Sequence, residues 1–334
     1  MVVPAGKSFL TQALVFNGPC SSSSITFQLL GTIIAPSKSN FKNPSEKWLL
    51  FSKVNGLVIN GNGSFDGSAT MNDWWKGSSI ATGPIVLYLS SCSNLRLNGP
   101  SFFRPPKAHI NINGCNNVTI SNIQINAPEN SPNTDGIDIS DSSDINFSDS
   151  KVQTGDDCVA INGGSAKINI TRINCGPGHG ISVGSLGRFE GRIENVENVH
   201  VKNCTFTKTT NAARIKTANG ESGSAKMISY EDIILIDTEN PILIDQNYCP
   251  RQNCSNNMSK VKISDVTFTG FKGTTTSNVA VKLDCSSGVP CMNIKLDNIK
   301  ISGSASLKDP VTSVSNNAFG SSSPTNIPKV TMSS

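Results

Sequence analysis

The sequence predicts an all-β protein, a single-stranded right-handed parallel β-helix wound as one solenoid. Three observations carry that expectation. Short Val/Ile alternations bounded by Asn, Gly and Asp recur along the chain. No long stretch places apolar residues at helical spacing. The alternations also return at a roughly regular interval, the signature of a repeat architecture.

Taken in order, the recurring strands are Leu57-Val58-Ile59, Leu95-Arg96-Leu97, Val118-Thr119-Ile120 and Ile145-Asn146-Phe147. They continue as Ile168-Asn169-Ile170, Val199-His200-Val201, Ile228-Ser229-Tyr230, Val261-Lys262-Ile263 and Ile294-Lys295-Leu296. From Leu95 onward their first residues are 23 to 33 residues apart. A repeat commonly holds a second alternation, as in Ile123-Gln124-Ile125, and often a third, as in Ile137-Asp138-Ile139. Two or three strands per repeat suit coils that pair in parallel with their neighbours. A β-sandwich would show more hairpin turns, and a propeller blade needs about 40–50 residues and its own motif. Asn and Gly between strands suit the left-handed turns of coil corners. Cys115-Asn116-Asn117 and Asn195-Val196-Glu197-Asn198 each precede a repeat strand, so a stack of Asn side chains is expected at one corner. The expected organisation is one domain over residues 1–334, with a loose polar tail from about Ser302 to Ser334. A solenoid needs capped ends, and no capping segment precedes Val2, so an N-terminal cap is expected to be missing.

The formal charge is +4, from 28 Lys and Arg against 24 Asp and Glu, with no basic cluster of the kind that tracks phosphates. Nucleic acid is therefore not an expected partner. There is no apolar run long enough to span a membrane, and the chain is expected to act as a monomer. Ten cysteines, several in close pairs (Cys158 and Cys175, Cys249 and Cys254, Cys285 and Cys291), point to disulfides in an oxidising compartment rather than zinc. Sequons at Asn62, Asn117 and Asn169 fit secretion, although Met1 to Lys7 is not a signal peptide.

The chemistry gathers between Asn133 and His179. Asn133-Thr134-Asp135, Gly155-Asp156-Asp157 and Gly178-His179-Gly180 fall about one repeat apart. Ile145 to Asp156 and Ile168 to His179 are both eleven residues. Coils stack about 4.8 Å apart, so matching positions should form a column. In Arg214-Ile215-Lys216, alternation sends Ile215 into the core and the two cations outward. Tyr248 lies two coils beyond His179. Carboxylates beside cations serve metal binding or acid–base catalysis. Calcium wants six to eight oxygens, and Arg and Lys would compete with it. Glycoside hydrolysis needs one carboxylic acid to protonate the leaving oxygen and others to activate water, and crowding raises one carboxyl's pKa. Each motif alone reads as a polar turn or a solvated strand face; the repeat spacing favours a site.

At these residues the chain resembles the plant polygalacturonases, inverting glycoside hydrolases that cut the homogalacturonan backbone of pectin. The four motifs match in order and spacing, and the similarity runs from about Val2 to Ile299, including Ser131-Pro132 and Ile181 to Gly187. The resemblance implies Asp156 as general acid, Asp135 and Asp157 as the groups that activate water, and His179 as support for the acid. It implies Arg214, Lys216 and Tyr248 as substrate contacts, with Asn133 a polar neighbour, polygalacturonate as substrate, no cofactor or metal, and a secreted cell-wall location. The coil spacing would set Asp135 and Asp156 closer than the usual inverting separation of about 6.5–9.5 Å, yet the family implies inversion. Tyr248-Cys249-Pro250 and Ser259 to Ser264 look most like the exo-acting, pollen-type branch. The chain departs from the family at Ala218 (commonly Trp), Ala212 (commonly Gly) and Asp138 (commonly His). The N-terminal segment, with the cysteine expected to partner Cys20, and the C-terminal cysteines are also missing. A pectate lyase on a similar scaffold and an inactive or truncated wall-associated β-helix protein are the alternatives. His109 begins a strand and reads as a packing histidine or a cleft neighbour; His200 is expected to face solvent. For Trp74-Trp75, packing against a turn and lining a groove stand open.

Overall fold

The computed structural model describes residues 1–42, 47–77, 82–249 and 258–333. The chain divides into two compact units, Met1–Val159 and Ala160–Ser334. Both are right-handed parallel β-helix, with strands joined by turns and almost no helix among the described residues.

In the first unit, one run of parallel strands joins Ile25–Leu29, Leu57–Asn60, Ser93–Asn98, Asn116–Ser121 and Ser143–Gln153. Leu95 stands beside Val118, and Val118 beside Ile145, the register expected from the repeat. A second run joins Ser8–Leu10, Thr32–Ile34, Ser64–Asp66, Ser101–Phe103 and Gln124–Asn126. The third joins Leu14–Asn17, Lys47–Ser52, Ile85–Ser90, Ile110–Asn113 and Ile137–Ser140. Side chains alternate across each strand, so Leu57, Leu97, Val118, Ile120, Ile145 and Phe147 fill the coil interior. Burying such a side chain is worth about 1.5–3 kcal/mol.

The corners explain the Asn-rich punctuation. Asn94, Asn117 and Asp144 each adopt a left-handed φ of 53°, 55° and 57°. That conformation is disfavoured for most L-residues and tolerated by Asn and Asp. Here the expected Asn stack is present: Asn117 Nδ2 donates to Asn94 Oδ1 at 2.6 Å, and Asn94 Nδ2 to Asn55 Oδ1 at 2.8 Å. Trp74 and Trp75 are buried against turns, Trp75 Nε1 donating to the Pro105 carbonyl at 3.2 Å and Trp74 meeting Phe41 edge-on.

The second unit repeats the pattern. Ile168 pairs with Val199, and Val199 with Ile228. The next copy differs from the sequence reading. Ile228 stands beside Val266, not Val261, and Val266 beside Ile294. Strand Lys260–Thr275 carries two alternations, separated at Asp265 with a φ of 56°, and only the second continues the column. The described residues from 302 onward are not the loose tail that their composition suggested. Thr312–Asn316 pairs with Val279–Asp284, and Ala318–Ser322 with Cys291–Asp297. A parallel ladder is made by backbone groups, so small polar residues join it readily. His200 is exposed and bonds Ser229 Oγ and Asn198 Oδ1, both at 2.9 Å.

Cys285 and Cys291 form a disulfide, and Cys158, Cys175 and Cys249 are also disulfide-bonded. Cys254 lies outside the described residues. Cys20, Cys92, Cys115 and Cys204 are free thiols. No helix among the described residues is long and apolar enough to cross a membrane.

Candidate active site

The eight residues singled out in the sequence fall into two groups. Asn133, Asp135, Asp156 and Asp157 lie in the first unit; His179, Arg214, Lys216 and Tyr248 lie in the second.

In the first unit, the backbone of Gly136 donates to the Asp157 carbonyl at 2.9 Å, and Ile137 to the Cys158 carbonyl at 3.2 Å. This register sets Asp135 opposite Asp157 on the neighbouring segment, with Asp156 one residue before it, on segments about 4.8 Å apart along the stack. Both are half-buried, whereas Asp157 is only 1% exposed. Asp156 Oδ1 accepts from the Asp157 N–H at 2.9 Å, and its Oδ2 accepts from Asn133 Nδ2 at 3.2 Å. Asn133 reaches across because its own φ is 50°, which turns the chain sharply before Asp135.

Beneath these groups lies a hydroxyl network that the sequence did not reveal. Ser131 Oγ and Thr134 Oγ1 are 2.8 Å apart, Thr134 Oγ1 and Thr154 Oγ1 are 3.1 Å apart, and Thr154 Oγ1 also donates to the Thr134 carbonyl. Thr134 Oγ1 accepts from Gly155 N at 3.0 Å. All three hydroxyl residues are buried, so the network fixes both carboxylate-bearing turns to one another. Their individual residue types carry no signal, since Ser and Thr are common throughout the chain.

In the second unit, close backbone approach dictates the Gly-Pro-Gly-His-Gly turn. A Cβ on Gly176 would lie 1.9 Å from the Thr207 carbonyl oxygen, and one on Gly180 2.3 Å from that of Asn211. Only glycine fits there, and His179 is held between, its carbonyl accepting from Asn211 Nδ2 at 3.2 Å. Strand Asn211–Thr217 is buried along its whole length. Arg214 and Lys216 do alternate with the core residue Ile215, as expected, but they are only 8% and 6% exposed, so the strand is covered rather than a solvated face. Neighbouring groups cover them. Arg214 Nε donates to Ser182 Oγ at 2.9 Å, from the strand in register beside it. The Tyr248 ring lies 5.9 Å from the Arg214 guanidinium and 5.2 Å from Lys216 Nζ, within cation–π range of both.

Tyr248 owes its place to two buried anchors. Its N–H donates to the Thr217 carbonyl at 3.1 Å. Gln246, fully buried, donates to the Val261 carbonyl and accepts from Ser286 N, both at 2.8 Å. Asp245 stands in register beside Lys216 and Asp284. Burial pushes the Asp245 carboxyl upward, a rise opposed by its bond from Asn247 N and by Lys282 and Arg214. Asp245 belongs to none of the four motifs, so spacing carries no signal for it. Two cations on one strand beneath an aromatic ring are the chemistry that recognises a carboxylate ligand. Asp138, in the first unit, is half-buried between the core residues Ile137 and Ile139, as alternation predicts.

Residues 1–322 match the family model described as glycosyl hydrolases family 28. The chain belongs to that family. It is 48% identical over 310 residues to a probable polygalacturonase of Arabidopsis thaliana, covering 91% of this chain and 66% of that one. It thus spans just under two thirds of that relative. It is 40% identical to an exopolygalacturonase of Oenothera organensis, covering 95% of this chain and 88% of that one. Among solved structures, the endo-xylogalacturonan hydrolase from Aspergillus tubingensis superposes with a TM-score of 0.84 at 26% identity, covering 100% of this chain and 90% of that one. In this family 28 chain, the four motifs quoted from the sequence all fall within the matched residues.

Proposed function

We propose that this family 28 chain is a secreted, monomeric cell-wall hydrolase that cleaves the α-1,4-galacturonosyl bonds of polygalacturonate, acting from the chain end with inversion and without a cofactor. The observation that carries the reading is the buried Arg214–Ile215–Lys216 strand under Tyr248, a cationic, aromatic-faced surface suited to a uronic acid. In this reading the two cations hold the sugar carboxylate by charge-assisted hydrogen bonds, and Tyr248 covers the ring. Asp156 gives its proton to the glycosidic oxygen. Asp135 and Asp157 draw the proton from the attacking water. His179 is assigned as support for the acid, and Asn133 holds the second oxygen of Asp156. Support for exo action comes from the name of the Oenothera relative and from the Tyr248-Cys249 segment. Disulfide-bonded cysteines fit an oxidising, extracellular location.

The test is product analysis on polygalacturonate. Chromatography over time should show galacturonate monomer from the start, and proton NMR should show the inverted anomer first. A ladder of oligomers would overturn exo action. First release of the retained anomer would overturn inversion.

A further inference from the structure

We propose that His109 is a positioning residue for the reaction, a neutral imidazole that locks the peptide carrying Asp135 through its Nδ1–H. This rests on the reading in which Asp135 activates water. His109 immediately precedes strand Ile110–Asn113 and is fully buried. Its backbone N–H donates to the Asp135 carbonyl at 2.9 Å, and its Nδ1 lies 2.9 Å from the same oxygen. A carbonyl oxygen only accepts, so Nδ1 must carry the hydrogen. Both lone pairs of that carbonyl are then engaged, and the Asp135–Gly136 peptide plane is held from one side by a single residue.

The other nitrogen reveals the cost. Nε2 is buried with no hydrogen-bond partner among the described residues. An unsatisfied buried acceptor is destabilising, so packing alone does not account for a histidine here. Register sharpens this. Ile110 pairs with Leu87 on one side and Ile137 on the other, so the positions equivalent to His109 are Val86 and Gly136. Neither has a polar side chain. Of these three positions only His109 carries a side-chain donor, and it is the one that touches Asp135. Burial lowers the imidazole pKa to about 4, the Asp135 carbonyl opposing the shift, which keeps the ring neutral above that pH. The left-handed turn at Asn133 releases the chain from regular pairing just before Asp135, and His109 restores the constraint just after it.

The experiment compares His109→Asn, His109→Gln and Asp135→Asn in the full chain on polygalacturonate, with kcat and KM measured separately. An Asn amide nitrogen can replace Nδ1; a Gln amide reaches toward the Nε2 side. The expected result is that H109N keeps kcat within about threefold of the original, while H109Q loses at least about tenfold in kcat with KM unchanged. Thermal melting of both variants separates misfolding from mispositioning. Equal kcat for folded H109N and H109Q overturns the proposal, as does a loss confined to KM. An active Asp135→Asn would instead remove the underlying role of Asp135, whatever the histidine variants do.

Discussion

Asp156 and Lys216 show how differently two site residues are prepared. Both oxygens of Asp156 accept nitrogen donors in the first unit, so its direction is set before any ligand arrives. Lys216 is stored under an aromatic ring on a buried strand. Hydrogen bonds to charged groups are worth about 1.5–3 kcal/mol, so Lys216→Ala should raise KM for polygalacturonate about 10–100-fold. Initial-rate kinetics checks this, and an unchanged KM would remove the lysine from substrate binding. His109 gives a stability prediction of its own. Its folded pKa of about 4 lies below the ordinary 6.5, so between those values the unfolded chain binds more protons. Stability from this group should be complete above pH ~6.5 and fall as pH drops toward about 4, by up to about 1.4 kcal/mol per unit. Urea unfolding of the original chain and H109N across that window should show a shallower slope in H109N. At this scale the sequence was informative where residues sit in motifs and silent elsewhere. Asp135, Asp156, His179 and Arg214 stand out by spacing. His109, Thr134 and Thr154 do not, because burial and partner choice depend on residues far away in the chain. Alternation read Arg214 and Lys216 as outward-facing, but it could not foresee that Ser182 and Tyr248 would cover them.

Among the elements, the turn from Gly176 to Gly180 has the least freedom. Gly180 has a φ of 84°, and an added Cβ would meet the Asn211 carbonyl. Gly180→Ala should therefore destabilise the fold by about 2 kcal/mol or more and lower activity through His179. Denaturant midpoints check the first effect, and a midpoint equal to that of the original would contradict the packing argument. The strands themselves were largely legible, since Leu95, Val118 and Ile145 alternate with polar residues and do share one register. The failure at Val261 has a physical cause. Val261-Lys262-Ile263 and Val266-Thr267-Phe268 look alike as alternations, and the bend at Asp265 decides which of them continues the column. The segment from Ser302 onward misled in the other direction. Its Ser and Asn content resembles a tail, yet Lys282 beside Val314 and Leu296 beside Ser322 are ordinary parallel pairs.

For the whole molecule, a helix of parallel coils has one useful property. Each coil brings the same positions to the same face, so motifs tens of residues apart in sequence can serve one chemistry. The order of Asp135, Asp156, His179, Arg214 and Tyr248 along the chain fits a repeat architecture of that kind. The proposed reaction is hydrolysis of polygalacturonate by this family 28 chain with Asp156 as the acid. General acid catalysis contributes about 10²–10⁴-fold, so Asp156→Asn should lose that much in kcat while melting like the original. The most direct measurement follows reducing-sugar release from polygalacturonate by both proteins, with ultraviolet absorbance recorded on the same samples. Release by the original chain, near-loss in D156N and no absorbance change in either are expected. Equal release by the two proteins, or a rise in absorbance from unsaturated products, would contradict it.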